Sequence, residues 1–175
     1  MATEKEQRIL DAATQVFLRY GFRRTTMGDL AEAAGISRPA LYLQFCNKER
    51  IFEAALGRMA ETMLAEVRDR AAGPGTVREK LAFAFERWAI HPFEMTQGSP
   101  DARDLLQCDL PFTRELKARW TADFEAILAG ILSDRPDAAR IARVLAASVH
   151  GFKLSAGSVE ELRGMVEAML DLVVS

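Results

Sequence analysis

The stretch from Thr25 to Phe45 constrains the fold of this chain most strongly, because it predicts two short helices joined by a tight turn. Thr26 can cap the first helix and Ser37 the second, since a hydroxyl group accepts a hydrogen bond from the backbone amides that open a helix. Between them, Gly35 can adopt the positive φ that a sharp bend demands. This is the layout of a helix-turn-helix, whose second helix enters the major groove of DNA.

The spacing of apolar residues in this stretch separates a core-facing side from an outer side. The residues predicted to face the core are Met27, Leu30, Ala31, Ala34, Leu41 and Phe45. The residues left less committed to the core, and so able to meet a DNA groove, are Arg38, Ala40, Tyr42, Leu43 and Gln44.

Helical periodicity continues along nearly the whole chain, and we find no alternating strand pattern. We therefore predict an all-α fold with about nine helices. Residues 1–48 form a three-helix helix-turn-helix domain. A long connecting helix follows over about residues 48–70, and residues 49–175 form a helical C-terminal domain.

Local signals place further helix boundaries. Asn47 can cap the connecting helix, and Thr76 and Ser158 each begin a capping-box pattern. The prolines between residues 91 and 100 predict a bend or loop, and a short helix is predicted over residues 101–108.

Charge is distributed unevenly along the chain. The formal net charge is −2, yet residues 1–50 hold eight Lys and Arg against six Asp and Glu. The remaining residues hold fifteen against nineteen and are therefore acidic. A basic balance at the helix-turn-helix end favours attraction to phosphates, although an imbalance this mild is also common on solvated surfaces.

Targeting signals and disulfides are not expected. The first residues lack the apolar run of a secretion signal, and no apolar stretch approaches the roughly 20 residues that span a bilayer. Cys46 and Cys108 make no disulfide framework, so we expect a cytoplasmic protein. We interpret Cys46 as an inert small residue in preference to a redox-sensitive thiol, because no second cysteine is near in sequence.

A joint pattern in the N-terminal third extends over about residues 5–56. It consists of Ala12-Ala13, Phe17, Gly21-Phe22, Thr25-Thr26, Ile36-Ser37, Leu41-Tyr42, Phe45 and Lys48-Glu49. In order and spacing, this pattern resembles the TetR family of bacterial transcriptional regulators, whose DNA-binding domain is three helices followed by a long connecting helix.

The resemblance implies two sets of DNA contacts. The positions that hold phosphates are Thr25, Thr26, Ser37, Tyr42 and Lys48. The positions that read bases are Arg38, Pro39, Ala40, Leu43 and Gln44. Simpler interpretations stay open, since Tyr42 can pack between helices and Arg38 and Lys48 can be solvated surface charges.

The resemblance further implies a homodimer and a small-molecule effector bound in the C-terminal domain. The interface is expected to use the last two helices, through Ile141, Leu145, Val149, Leu162, Val166, Met169, Leu170 and Val173. The effector pocket is expected among Phe83, Trp88, Phe93, Phe112, Trp120, Phe124 and His150, with His150 and Lys153 as polar anchors. The alternative for both sets is that these residues form internal core.

The function implied is a ligand-responsive repressor that binds a palindromic operator as a dimer and is released by a largely apolar effector. Two alternatives remain: a DNA-binding regulator without an effector, and a helical interaction module. We expect no enzyme, cofactor or metal site. His91, His150 and the cysteines lack metal-ligand spacing, and there is no phosphate loop or nucleophile elbow.

Overall fold

A computed structural model describes residues 3–97 and 110–174, and every regular element in these two ranges is helical. This confirms the all-α prediction. The predicted helix over residues 101–108, with Cys108, lies outside the described residues. The elements before the gap are α1 (Glu4–Arg24), α2 (Met27–Ala33), α3 (Arg38–Tyr42), α4 (Lys48–Ala72), α5 (Val77–Phe85), a π-helical turn (Glu86–Ile90) and α6 (His91–Thr96). After the gap follow a 3₁₀ turn (Pro111–Thr113), α7 (Arg114–Ile131), α8 (Ala138–Ser155) and α9 (Val159–Val173).

The described chain divides into two compact units. The first draws on residues 1–59 and 95–114, and the second on residues 60–94 and 115–175. The division therefore lies within α4, eleven residues beyond the boundary predicted at residue 48. A continuous helix carries no local signal for such a division, because its backbone pattern is the same on both sides.

An aromatic cluster forms the centre of the first unit. Phe52 from α4 contacts Phe17 and Phe22 from α1, with ring centroids 5.0 and 4.8 Å away. Phe112 joins this cluster, 5.6 Å from Phe22. Fully buried Leu41 attaches α3 to the same core.

Helix boundaries follow the predicted caps. Thr26 Oγ1 accepts from the Asp29 amide at 3.2 Å, while the Asp29 carboxylate accepts from the Thr26 amide at 2.8 Å. Ser37 caps α3, and Asn47 Oδ1 accepts from an amide in the first turn of α4 at 2.9 Å. Hydrogen bonding to Thr26 holds the pKa of Asp29 below its usual value.

One local prediction was wrong: residues 91–96 form α6 where a bend or loop was expected. A proline ordinarily disrupts a helix because it lacks an N–H and clashes with the carbonyl four residues earlier. Here the π-helical turn Glu86–Ile90 precedes Pro92 and widens the backbone at that point. The first helix, α1, extends to Arg24 across a kink at Gly21, where φ is 70°.

The second unit is built around α9, which packs against α5, the π-helical turn and α8. The buried core of this unit includes Leu81, Phe85, Leu145 and Leu162. Among the described residues, no helix combines the length and apolar character that crossing a membrane requires.

Candidate nucleic-acid interface

The second helix of the helix-turn-helix, α3, presents a continuous exposed face. Leu41 on its inner side is completely buried and Phe45 just beyond it is 8% exposed, so α3 is held firmly against the core. On the outer side, Tyr42 is 49% exposed and Leu43 is 83% exposed. The predicted contact residues that are exposed are Thr26, Ser37, Arg38, Pro39, Tyr42, Leu43 and Gln44.

Arg38 lies over the start of α2. A Cβ placed on Gly28 would be 4.0 Å from Arg38 Nε, so the guanidinium side chain crosses the first turn of the neighbouring helix. This places Arg38 near the capped α2 N-terminus that begins at Thr26. The exposed parts of α2 and α3 therefore form one surface with a cation and two hydroxyl groups.

Three of the predicted phosphate-contact residues, Thr25, Thr26 and Lys48, donate their side-chain hydrogen bonds within the protein. Thr25 is only 2% exposed, and its hydroxyl donates to the Gly21 carbonyl at 2.7 Å. Lys48 Nζ donates to the carbonyls of Phe22 and Thr25 at 2.8 and 2.7 Å. Lys48 also lies 4.3 Å from the centroid of the Phe22 ring.

These contacts satisfy backbone carbonyls at the C-terminal end of α1 that no helical amide can reach. The side chain of Lys48 therefore joins the start of α4 to the end of α1, whereas that of Thr25 bonds back to α1 itself. Sequence reasoning did not find this role, because Lys48 is 23 residues or more from the carbonyls it contacts. Ala40, one of the predicted base-reading residues, is half-buried. Cys46, which lies beyond α3, is exposed.

Comparison with known proteins agrees with this geometry. Residues 9–55 match the family described as bacterial regulatory proteins, tetR family. The HTH-type transcriptional regulator TtgR of Pseudomonas putida is 41% identical over 61 residues, which cover 35% of this chain and 29% of that protein. The N-terminal third of this chain is therefore similar to the tetR family of bacterial regulatory proteins.

Two solved structures match the fold over nearly the whole chain. A transcriptional regulator from Cytophaga hutchinsonii has a TM-score of 0.82 at 19% identity, covering 97% of this chain and 96% of that one. The transcriptional regulator FadR from Bacillus subtilis, solved in complex with stearoyl-CoA, has a TM-score of 0.71 at 21% identity, covering 97% of each chain. These likenesses show that the described residues share the fold of these two regulators.

The residues expected at a TetR-type dimer interface lie mostly inside the second unit. Six of the eight are buried: Leu145, Val149, Leu162, Val166, Met169 and Leu170. Ile141 and Val173 are half-buried. The amphipathic stripes of α8 and α9 therefore pack internally, which is the alternative that their periodicity left open.

A different apolar face of α8 and α9 is exposed. Val144 and Leu154 on α8 are each 58% exposed, and Leu172 on α9 is 84% exposed. A Cβ on Gly151 or Gly164 would meet no atom within 4 Å. Sequence periodicity did not predict this face, because it carries few apolar residues. The periodic pattern indicates the wider apolar stripe of each helix, which is the buried one.

The aromatic residues expected around an effector are brought together only in part. Trp88 stacks on Phe124 with ring centroids 4.7 Å apart, and Phe85 contacts Phe124 edge-on. Phe93 and Trp120 are buried, and Phe83 is half-buried. Phe112 lies elsewhere, against Phe22 and Phe52 in the first unit, so we do not include it in a pocket.

Lys117 is a residue of the second unit that sequence reasoning missed. Partial desolvation lowers the pKa of His150, and the charges of Lys153 and Lys117 lower it further. Lys117 could have been noticed because it precedes Trp120 by three residues and Phe124 by seven, which places it on the apolar stripe of α7.

Other candidate sites are sparse among the described residues. A surface cleft of about 600 Å³ lies between α1 and α2, and none of the residues predicted for the effector lines it. No group of three His, Cys, Asp or Glu side chains in the described ranges could hold a metal ion.

Proposed function

We propose that this protein is a transcriptional repressor that binds a palindromic DNA operator as a homodimer and responds to a small molecule. One observation carries the proposal: α3 is fixed to the core through Leu41 and Phe45 while its outer face is exposed. A rigid helix with free side chains is what reading base edges requires, since a loosely held helix would not keep its register.

The exposed residues have complementary tasks on DNA. Arg38 can donate two hydrogen bonds to a guanine edge, and Gln44 can pair with an adenine. Leu43, whose apolar side chain is 83% exposed, can contact a thymine methyl group. The hydroxyl groups of Ser37 and Tyr42 can donate to phosphates and so fix the register, whereas the Thr26 hydroxyl already donates to the Asp29 carboxylate at 2.8 Å.

A dimer would bring two such helices to successive major grooves. We assign its interface to the exposed face of α8 and α9 around Val144, Leu154, Leu172, Gly151 and Gly164, in place of the residues expected from the sequence. The two open glycines support this assignment, because positions without a side chain allow helices from two protomers to approach closely.

The response to a small molecule is supported by the aromatic cluster of the second unit. FadR from Bacillus subtilis was solved with stearoyl-CoA, so a protein of this fold takes a ligand with a long apolar part. A bound effector that lowers operator affinity tenfold needs about 1.4 kcal/mol of differential binding between two conformations.

Selection from a random pool of DNA duplexes tests the proposal. We expect one palindromic motif, and fluorescence anisotropy should then give specific binding. Replacing both Arg38→Ala and Gln44→Ala should weaken that binding by about a hundredfold or more, since each bidentate pair contributes about 1–3 kcal/mol. Arg140→Ala, an exposed cation on α8, is the matched control and should change little.

Three outcomes decide between the candidates. Failure of the wild-type protein to enrich any duplex, with the dimer intact, would reject DNA binding and leave a helical interaction module. Enrichment without a palindrome would reject the symmetric dimer. Specific binding that no compound alters would support a regulator without an effector.

A further inference from the structure

Three basic side chains meet at one end of the helical pair α7 and α8. Lys117 is on the first turn of α7, and His150 and Lys153 are near the end of α8. The short connection over residues 132–137 makes the two helices run in opposite directions, so the start of one lies beside the end of the other. Lys117 is close enough to lower the pKa of both His150 and Lys153.

Lys153 is half-buried, as is Lys117, whereas His150 is exposed. Lys153 continues the inward stripe of α8, four residues after fully buried Val149. Burial lowers the pKa of Lys153 to about 8, with a further contribution from Lys117. Among the described residues, no carboxylate or carbonyl lies within hydrogen-bonding distance of its ammonium group.

A second unmatched donor lies one helical turn from Lys117. Trp120 is only 6% exposed, and its indole Nε1 has no acceptor in the described part of the protein. A buried donor without an acceptor is unfavourable, because the hydrogen bond that it makes with water in the unfolded chain is lost and not replaced. Among the described residues, the Lys153 ammonium and the Trp120 N–H are therefore two donors that a bound acceptor group would satisfy.

An apolar wall continues from these donors along α7. Phe124, one turn after Trp120, is fully buried and stacks on Trp88. Trp88 is only half-buried, so part of its ring surface is accessible. The site therefore combines positive charge and an N–H donor with flat apolar surface.

We propose that this end of α7 and α8 binds a small organic anion, whose acidic head contacts Lys153 and Trp120 and whose apolar body lies along the aromatic side chains. This inference rests on the proposed function, because the anion would be the effector of the regulator. It replaces the expectation of a largely apolar effector with an acidic one. Carboxylate and phosphate heads share the required chemistry, since both offer charged oxygen acceptors.

Isothermal titration calorimetry with matched probes tests the site. The probes are 2-naphthoate, 2-naphthyl phosphate and the neutral 2-naphthylmethanol, all with the same ring system. We expect at least one anion to bind about tenfold more tightly than the alcohol, equivalent to about 1.4 kcal/mol. The tighter of the two anions identifies the acidic head.

Variants assign the preference to named groups. Lys153→Met should remove the preference for the anion, and Lys153→Arg should keep most of it. Trp120→Phe retains the ring and removes the N–H, so it should weaken anion binding several-fold and provides a second test if Lys153→Met unfolds. Arg143→Met, an exposed cation on the same helix, should have no effect.

The proposal is overturned if neither anion binds more tightly than the alcohol, or if the preference survives both Lys153→Met and Trp120→Phe. Operator binding is measured separately by anisotropy. Anion binding without any change in operator affinity keeps the site and rejects its role as a switch. If the protein binds no DNA duplex, the proposed function is rejected, and the anion site is still tested independently by calorimetry.

Discussion

The ammonium group of Lys48 has two possible roles, one in DNA binding and one in folding stability. The family resemblance assigns it to a DNA phosphate, whereas the structure has Lys48 Nζ 2.8 and 2.7 Å from two backbone carbonyls and beside the Phe22 ring. Hydrogen bonds from a charged donor contribute about 1.5–3 kcal/mol, and an exposed phosphate contact adds no folding stability. The two roles therefore predict different measurements.

We expect Lys48→Met to lower the free energy of unfolding by about 2 kcal/mol, because the carbonyls at the end of α1 lose their donor. Urea unfolding followed by circular dichroism measures this change. Arg50→Ala, on the same helix with an exposed ion pair to Glu53, should cost only a few tenths of a kcal/mol. In the Lys48→Met variant, the slope of log operator affinity against log salt concentration should equal that of the wild-type protein. A slope smaller by about one, with unchanged stability, would show instead that Lys48 contacts a phosphate.

Lys153 makes stability depend on pH. Its pKa is 10.5 in a model peptide and about 8 in the folded protein, so between these values the unfolded chain binds more protons. Stability should therefore rise as the pH increases from 8 to 10.5, and below pH 8 the charged lysine destabilises the fold in full. Burial is the main cause of this lowered pKa, and the charge of Lys117 lowers it further.

Lys153→Met should be more stable than the wild-type protein at pH 7, by up to about 3 kcal/mol, and this difference should shrink towards pH 10.5. Thermal unfolding at several pH values in amine buffers, without carboxylate or phosphate, gives the difference directly. Arg143→Met serves as the control and should show no such trend. A difference between Lys153→Met and wild type that is independent of pH would contradict the shifted titration.

At the scale of elements, the turn between α2 and α3 depends on backbone conformation alone. Gly35 has a φ of 65°, and a Cβ there would meet no atom within 4 Å. Gly35→Ala should therefore destabilise the protein by about 1 kcal/mol through the left-handed backbone, and Gly35→Asn by less. Gly130→Ala is the control, since Gly130 also faces open space but lies within α7.

Chemical denaturation measures both substitutions, and Gly130→Ala should be neutral or stabilising because alanine is the better helix former. If Gly35→Ala were also neutral, the bend would have to relax to a negative φ. Loss of operator affinity in the alanine variant, with the fold retained, would then report a displaced α3.

Helix ends could be predicted from sequence wherever the signal is local. Thr26 and Ser37 cap the helices expected of them, because the capping hydrogen bond joins residues three apart. Pro92 was misjudged because its accommodation depends on a π-helical turn that no residue pattern marks. Phe112 was misplaced for a related reason, since its partners Phe22 and Phe52 are 60 or more residues away.

At the scale of the whole molecule, burial decides which helix face can meet a second copy. An apolar stripe on α8 and α9 predicts contact without identifying the partner, and the structure buries most of that stripe within one protomer. The same ambiguity, between packing in the core and contact with a partner, applies to the candidate binding residues. It was resolved for α3 because the helix-turn-helix motif fixes which side of that helix packs on the core. The aromatic residues of the second unit had no such motif.

Two equally exposed leucines test the complete assembly. Leu172 on α9 is 84% exposed and Leu43 beside α3 is 83% exposed, so a charge at either position should leave the folded protomer stable. Leu172→Glu should raise the dimer dissociation constant by about tenfold or more, since it places a charge in an apolar interface. Leu43→Glu should leave the dimer unchanged and weaken DNA binding by repelling phosphates.

Sedimentation velocity measures the dimer, and anisotropy on a palindromic duplex and on an isolated half-site measures DNA binding. Leu172→Glu should lose affinity for the palindrome yet match the wild-type protein on the half-site, because linking two binding heads raises affinity without changing either contact. A Leu172→Glu protein that still dimerises would move the interface off α9. A Leu43→Glu protein with full affinity on both duplexes would show that the outer face of α3 does not meet the groove.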